Sequence, residues 1–101
     1  AVRYYRSSAR QGNADALCSL ATSFIEGNGV SQDIIKGIDY LNQALDQDNP
    51  DALYMAGLYL MDGDIVERDV DRAHEYFVES SEKGLWLADE VLEDWDNYFE
   101  N

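Results

Sequence analysis

Residues 13–17 read Asn-Ala-Asp-Ala-Leu, and residues 49–53 read Asn-Pro-Asp-Ala-Leu. Superposing the two sets a shift of 36 residues (49 minus 13), and the same shift carries Gly27 to Gly63, Val30 to Val66, Asp33 to Asp69 and Tyr40 to Tyr76. The register extends both ways. Tyr4 precedes Tyr40 by the same interval, Gly12, Asp48 and Gly84 form one series, and Ala16, Ala52 and Ala88 form another. A fixed interval of this size marks units that bury their apolar faces only by stacking on neighbours. The register therefore predicts a single repeat domain: a partial repeat at 1–12, full repeats at 13–48 and 49–84, and a capping helix at 85–101.

Each unit reads as two helices. The first, the A helix, begins at Asn13 or Asn49, whose side-chain oxygen is suited to cap free backbone amides. Pro50 follows at the first helical position, where its missing N–H costs nothing. Gly27 or Gly63 ends it. Asp33 or Asp69 then caps the B helix, where its charge also suits the positive end of the helix dipole. Ile34, Ile38, Leu41 and Leu45 mark one face of the first full B helix at helical spacing, as Val70, Ala73 and Phe77 do in the next. Small residues recur where helices must approach closely: Ala16, Ala52 and Ala88 on A helices, Ala1, Gly37 and Ala73 on B helices. Gly57 inside a helix costs about 1 kcal/mol relative to Ala, which points to a packing demand there.

The text from Gly12 to Asp33, GNADALCSLATSFIEGNGVSQD, followed by Lys36-Gly-Ile-Asp-Tyr40, resembles the Sel-one-like repeats, a subfamily of the tetratricopeptide helical-hairpin repeats. The loop pattern of Gly, any, Gly, Val, two any, Asp is complete at Gly27 to Asp33. In the second unit, Gly63 to Asp69, Ile65 replaces the second Gly. The resemblance implies an all-α, right-handed α-solenoid of helical hairpins with terminal capping helices, acting as a non-catalytic adaptor or scaffold that binds other proteins. A bacterial cytoplasm or periplasm fits it.

Composition limits the partners. The chain has 101 residues, 46% of them hydrophobic and 12% aromatic, which suits a packed fold rather than disorder. Acids outnumber bases 21 to 7, for a formal net charge of −14. Nucleic acid and anionic membrane surfaces repel such a protein, so a basic or neutral partner is expected. The longest apolar run, Leu53–Met61, has nine residues, short of the roughly 20 that a spanning helix needs. A soluble protein follows as the expectation. The chain opens on Ala1 rather than Met, as a fragment or processed form would.

Catalytic readings find no support in the residues. Cys18 and His74, each the only one of its kind, stand 56 positions apart (74 minus 18), with no orienting group or oxyanion site marked beside them. One Cys and one His also fall short of a structural zinc site, and Asp62-Gly63-Asp64 lacks the spacing of a calcium loop. No cofactor is expected.

The charge is uneven. Residues 1–12 carry Arg3, Arg6 and Arg10 and no acid, whereas the last segment is strongly acidic. Ordinary terminal surface charge accounts for this; so does head-to-tail association of copies, or a basic partner docking at the acidic end. In the terminal segment Ala88, Val91, Leu92, Trp95, Tyr98 and Phe99 form one apolar stripe.

On the middle A helix, Ala52, Ala56, Leu60 and Gly63 form the face repeated from unit to unit, while Tyr54, Leu58 and Met61 form a second stripe. The same three positions hold Cys18, Thr22 and Ile25 in the first unit and Glu90, Asp94 and Asn97 in the last. Two readings stand. Either the middle helix is buried on both sides, or these positions line a groove for a peptide with a hydrophobic centre and a basic end. On the groove reading Tyr54, Leu58, Tyr59 and Met61 are the anchors, Cys18 and Thr22 extend the surface, and Glu90 and Asp94 attract the partner. An inhibitor or immunity protein that neutralises a basic toxin or effector is the alternative to an adaptor.

Overall fold

The computed structural model describes residues 13–98 and divides the chain into two compact units, Ala1–Ala52 and Leu53–Asn101. The partial repeat expected at 1–12, with its tyrosines and arginines, lies outside the described residues, as do Phe99 and the side chain of Tyr98. Among the described residues five α-helices follow one another: α1 Ala14–Glu26, α2 Ile34–Asp46, α3 Pro50–Asp62, α4 Val70–Glu82 and α5 Trp86–Glu93. A 3-10 turn over Trp95–Tyr98 comes last. Among the described residues there is no strand, so the fold is all-α.

In the first unit the start signals behave as local chemistry demands. Asn13 Oδ1 accepts from the Ala16 N–H at 3.0 Å, and Asp33 Oδ1 accepts from the Lys36 N–H at 3.1 Å, each satisfying a donor that the helix leaves free. Gly27 ends α1 at φ 76°, a left-handed conformation that glycine adopts without steric cost. The Asp33 N–H then donates to Phe24 O at 2.8 Å, which ties the loop back onto α1. Leu17, Leu20, Ala21, Phe24 and Ile25 of α1 and Leu41 and Ala44 of α2 form a buried core. The helices approach closely at Gly37, where a β-carbon would stand 2.6 Å from Ile25 Cγ1 and 2.9 Å from Ala21 O. Phe24 stacks on Tyr40 with ring centroids 5.7 Å apart.

The second unit repeats these devices. Asp69 Oδ1 accepts from the Arg72 N–H at 3.1 Å, Gly63 takes φ 71°, and the Asp69 N–H donates to Leu60 O at 3.0 Å. The two loops match at their ends and differ in the middle. Gly29 sits at φ 77°, whereas Ile65 stays out of the left-handed region, which a β-branched residue cannot enter cheaply. Ala73, Phe77 and Val91 form the core, with Tyr54, Leu58, Leu60 and Met61 of α3, and Leu92 and Trp95, packed against it. The packing demand at Gly57 is Phe77: a β-carbon there would lie 2.7 Å from Phe77 Cζ.

The segment expected to form one capping helix over 85–101 consists, in its described part, of α5 and a tighter turn. After Glu93, Asp94 leaves the helix and the chain closes into the 3-10 turn, with the Trp95 ring 5.8 Å from that of Phe77. Ala88 and Val91 face inward as the stripe predicts, at 0% and 6% exposure.

Candidate partner-binding face

Every residue singled out from the sequence as a partner contact lies on an A helix, α1, α3 or α5, or at its C-cap. Within the second unit, Tyr54, Leu58 and Met61 are half-buried. Their inner edges rest on the Ala73–Phe77–Val91 core and their remaining surface is open to solvent. Tyr54 meets Phe77 edge-on at 5.7 Å, Phe77 meets Trp95 edge-on at 5.8 Å, and Trp95 meets His74 at 4.9 Å. This chain of rings fixes the outer aromatics in place, so a partner meeting them orders little that is not already ordered. Tyr59 is half-buried too, while Glu90 and Asp94 are exposed, Asp94 immediately before Trp95.

Cys18 and Thr22 belong to the first unit and have local employment. Cys18 is 8% exposed, and its thiol donates to Asn49 Oδ1 at 3.6 Å. The same oxygen caps α3 by accepting from the Ala52 N–H at 3.0 Å, and Asn49 Nδ2 donates to Asp15 Oδ1 at 3.1 Å. One amide thus joins the starts of two successive A helices. Burial, with the Asp51 and Asp15 carboxylates adding to it, pushes the Cys18 thiol from 9.0 to about 12. Such a thiol is a packing group and not a nucleophile. Thr22 is half-buried and its hydroxyl donates to Cys18 O at 3.1 Å, inside its own helix.

His74 lies exposed on α4, in the other unit from Cys18. Among the described residues no three His, Cys, Asp or Glu side chains converge on a metal-sized site, and no helix is long and apolar enough to cross a membrane. Sequence reasoning overlooked two exposed apolar side chains, Ile35 at 84% and Trp86 at 62% exposure. For Trp86 the available signal was its place opposite Ala88 on the helical wheel.

The Sel1 repeat family model matches residues 1–13, 14–49 and 50–85, and the chain belongs to that family. Sel1 repeat proteins are in general protein-interaction modules, and typically non-catalytic scaffolds. Among solved structures, the chain is similar to a protective antigen of uropathogenic Escherichia coli displaying an SLR fold. The TM-score is 0.81 at 27% identity, over 87% of this chain and 19% of the other. It is also similar in fold to a Sel1 repeat protein from Oxalobacter formigenes, with a TM-score of 0.78 at 22% identity, over 85% of this chain and 65% of that one. The chain thus spans about a fifth of the first and under two thirds of the second. No curated protein matches it.

Proposed function

We propose that this chain is a non-catalytic interaction module that binds a basic protein or peptide through its A-helix side. Tyr54, Leu58, Tyr59 and Met61 are the anchors, and Glu90 and Asp94 draw the partner in. The observation that carries this reading is the presence, in one unit, of a held aromatic and aliphatic face and of exposed carboxylates, in a chain of net charge −14. Apolar anchors supply most of the affinity of such contacts, whereas charge mainly raises the rate of encounter.

Affinity capture with quantitative mass spectrometry tests the reading, comparing wild type with Tyr54→Ala and with the charge reversal Glu90→Lys/Asp94→Lys. Wild type is expected to recover a protein with a basic surface that both variants lose while keeping native helicity. Equal recovery by all three would overturn the assignment of these residues. Whether the recovered protein is an assembly component or a toxin decides between an adaptor and an inhibitor.

A further inference from the structure

Helix α5 has two faces of opposite character. Its inner face is Ala88 and Val91, and its outer face carries Trp86 at 62% exposure, one of two large apolar side chains so exposed among the described residues. At about 100° per residue, Glu90 and Glu93 fall within roughly 40° of Trp86 around the helix, and Asp89 within about 60°. All three acids are exposed. Asp89 is already engaged, accepting from the Ser81 hydroxyl, which leaves Glu90 and Glu93 as the acids that follow Trp86 along this face.

A single exposed apolar side chain is ordinary and points to nothing by itself. An indole with carboxylates one and two turns along the same face makes a specific set: a π surface for a cation, and acceptors for its N–H groups. We propose that this outer face of α5 is the point at which the basic partner is read, by an arginine side chain laid on Trp86 with its guanidinium donating to Glu90 and Glu93. Arginine fits better than lysine because a planar guanidinium stacks on the ring while its edge donors stay free for carboxylates. Lysine offers a point charge and no plane. The net charge of −14 supplies the complementarity that brings such a partner to this surface. The proposal rests on the reading that the partner is basic, and it adds which side chain is recognised and where.

The test is a titration at low ionic strength of the 15N-labelled protein with hexa-arginine and, separately, hexalysine peptides, both blocked at the ends. The indole N–H resonances of Trp86 and Trp95 are followed, assigned with Trp86→Phe. Hexa-arginine is expected to move the Trp86 resonance while that of Trp95, held against Phe77, stays nearly still, and to bind more tightly than hexalysine. Trp86→Ala should weaken hexa-arginine binding about two- to fivefold, as befits an exposed cation–π contact. Trp86→Phe should recover part of that loss, and Glu90→Gln/Glu93→Gln should weaken binding further. Because Trp86 is exposed, Trp86→Ala is expected to keep native helicity, and Glu90→Gln/Glu93→Gln, at two exposed positions, provides the loss-of-binding readout if it does not. Equal hexa-arginine binding by wild type and Trp86→Ala would overturn this site while leaving the basic-partner reading intact. Equal affinity for the two peptides would overturn the choice of arginine. No binding of either would overturn this site, while the capture experiment decides the basic-partner reading separately; a Trp86 resonance that moves with protein concentration alone would assign the face to self-contact instead.

Discussion

Gly57 carries a conflict between local preference and packing, and packing wins. Alanine in its place gains about 1 kcal/mol of helix propensity, yet its methyl would meet the Phe77 ring at 2.7 Å, a ring with 0% exposure that is packed edge-on against Tyr54 and Trp95. Gly57→Ala is expected to lower stability by about 1–3 kcal/mol in urea denaturation. A gain would show that Phe77 yields. Cys18 gives a second prediction. Its folded pKa lies above the unfolded value of 9.0, so the folded state holds the proton more tightly. The resulting stability is fully present below pH 9 and is lost as pH rises toward about 12. The wild type should therefore lose stability faster than Cys18→Ala over that window, and at pH 8 its thiol should be alkylated only as fast as the protein opens. Prompt labelling of the native protein would contradict the buried assignment. Both residues were visible in the sequence, Gly57 as a misfit in a helix and Cys18 as a small thiol. What Gly57 makes room for was not, because Phe77 stands 20 residues away (77 minus 57) and only the packed hairpin brings them together.

Helix boundaries were the most legible feature of the chain. Asn13, Asn49, Asp33 and Asp69 each bond a backbone N–H three residues on, and Gly27 and Gly63 each take a left-handed turn. These are short-range events between a side chain and its own backbone, so residue type at a given spacing is enough to predict them. The terminal segment was harder to read. Val91, Leu92, Trp95, Tyr98 and Phe99 keep helical spacing, yet the helix ends at Glu93. A 3-10 turn places Trp95 against Phe77 equally well, and the apolar pattern does not distinguish the two. The loop at Gly63–Asp69 shows the same limit from the other side: Ile65 forbids the conformation of Gly29, yet the bonds at both ends survive. The bridging role of Asn49 was also hidden, since its cap is local but its bonds to Asp15 and Cys18 are not. Asn49→Ala removes a cap and leaves a thiol and a carboxylate without their partner. A loss of about 2 kcal/mol is expected, against about 1 kcal/mol if only a cap were at stake, and thermal denaturation beside Asn13→Ala measures the difference.

Across the whole chain, repeat register and charge carry the functional argument, and they differ in how far they reach. The register identified a helical repeat protein, because caps, loops and small residues all recur at one interval and any other reading would leave them unrelated. The candidate face was only partly legible. Tyr54, Leu58 and Met61 stood out as more apolar than the repeat requires, but alternation around a helix cannot tell a side chain half-covered by Phe77 from one wholly covered or wholly free. The structure makes them half-covered, a state that allows both packing and contact. Trp86 escaped notice because an aromatic residue in a helix is more often core than surface. The excess of 14 negative charges predicts how a partner arrives. For a basic partner recovered by capture, stopped-flow association with wild type should slow about tenfold or more as salt rises from tens to hundreds of millimolar. The Glu90→Lys/Asp94→Lys variant should associate more slowly at low salt and depend on it less. An association rate that ignores salt, or one that the charge reversal leaves unchanged, would contradict the account.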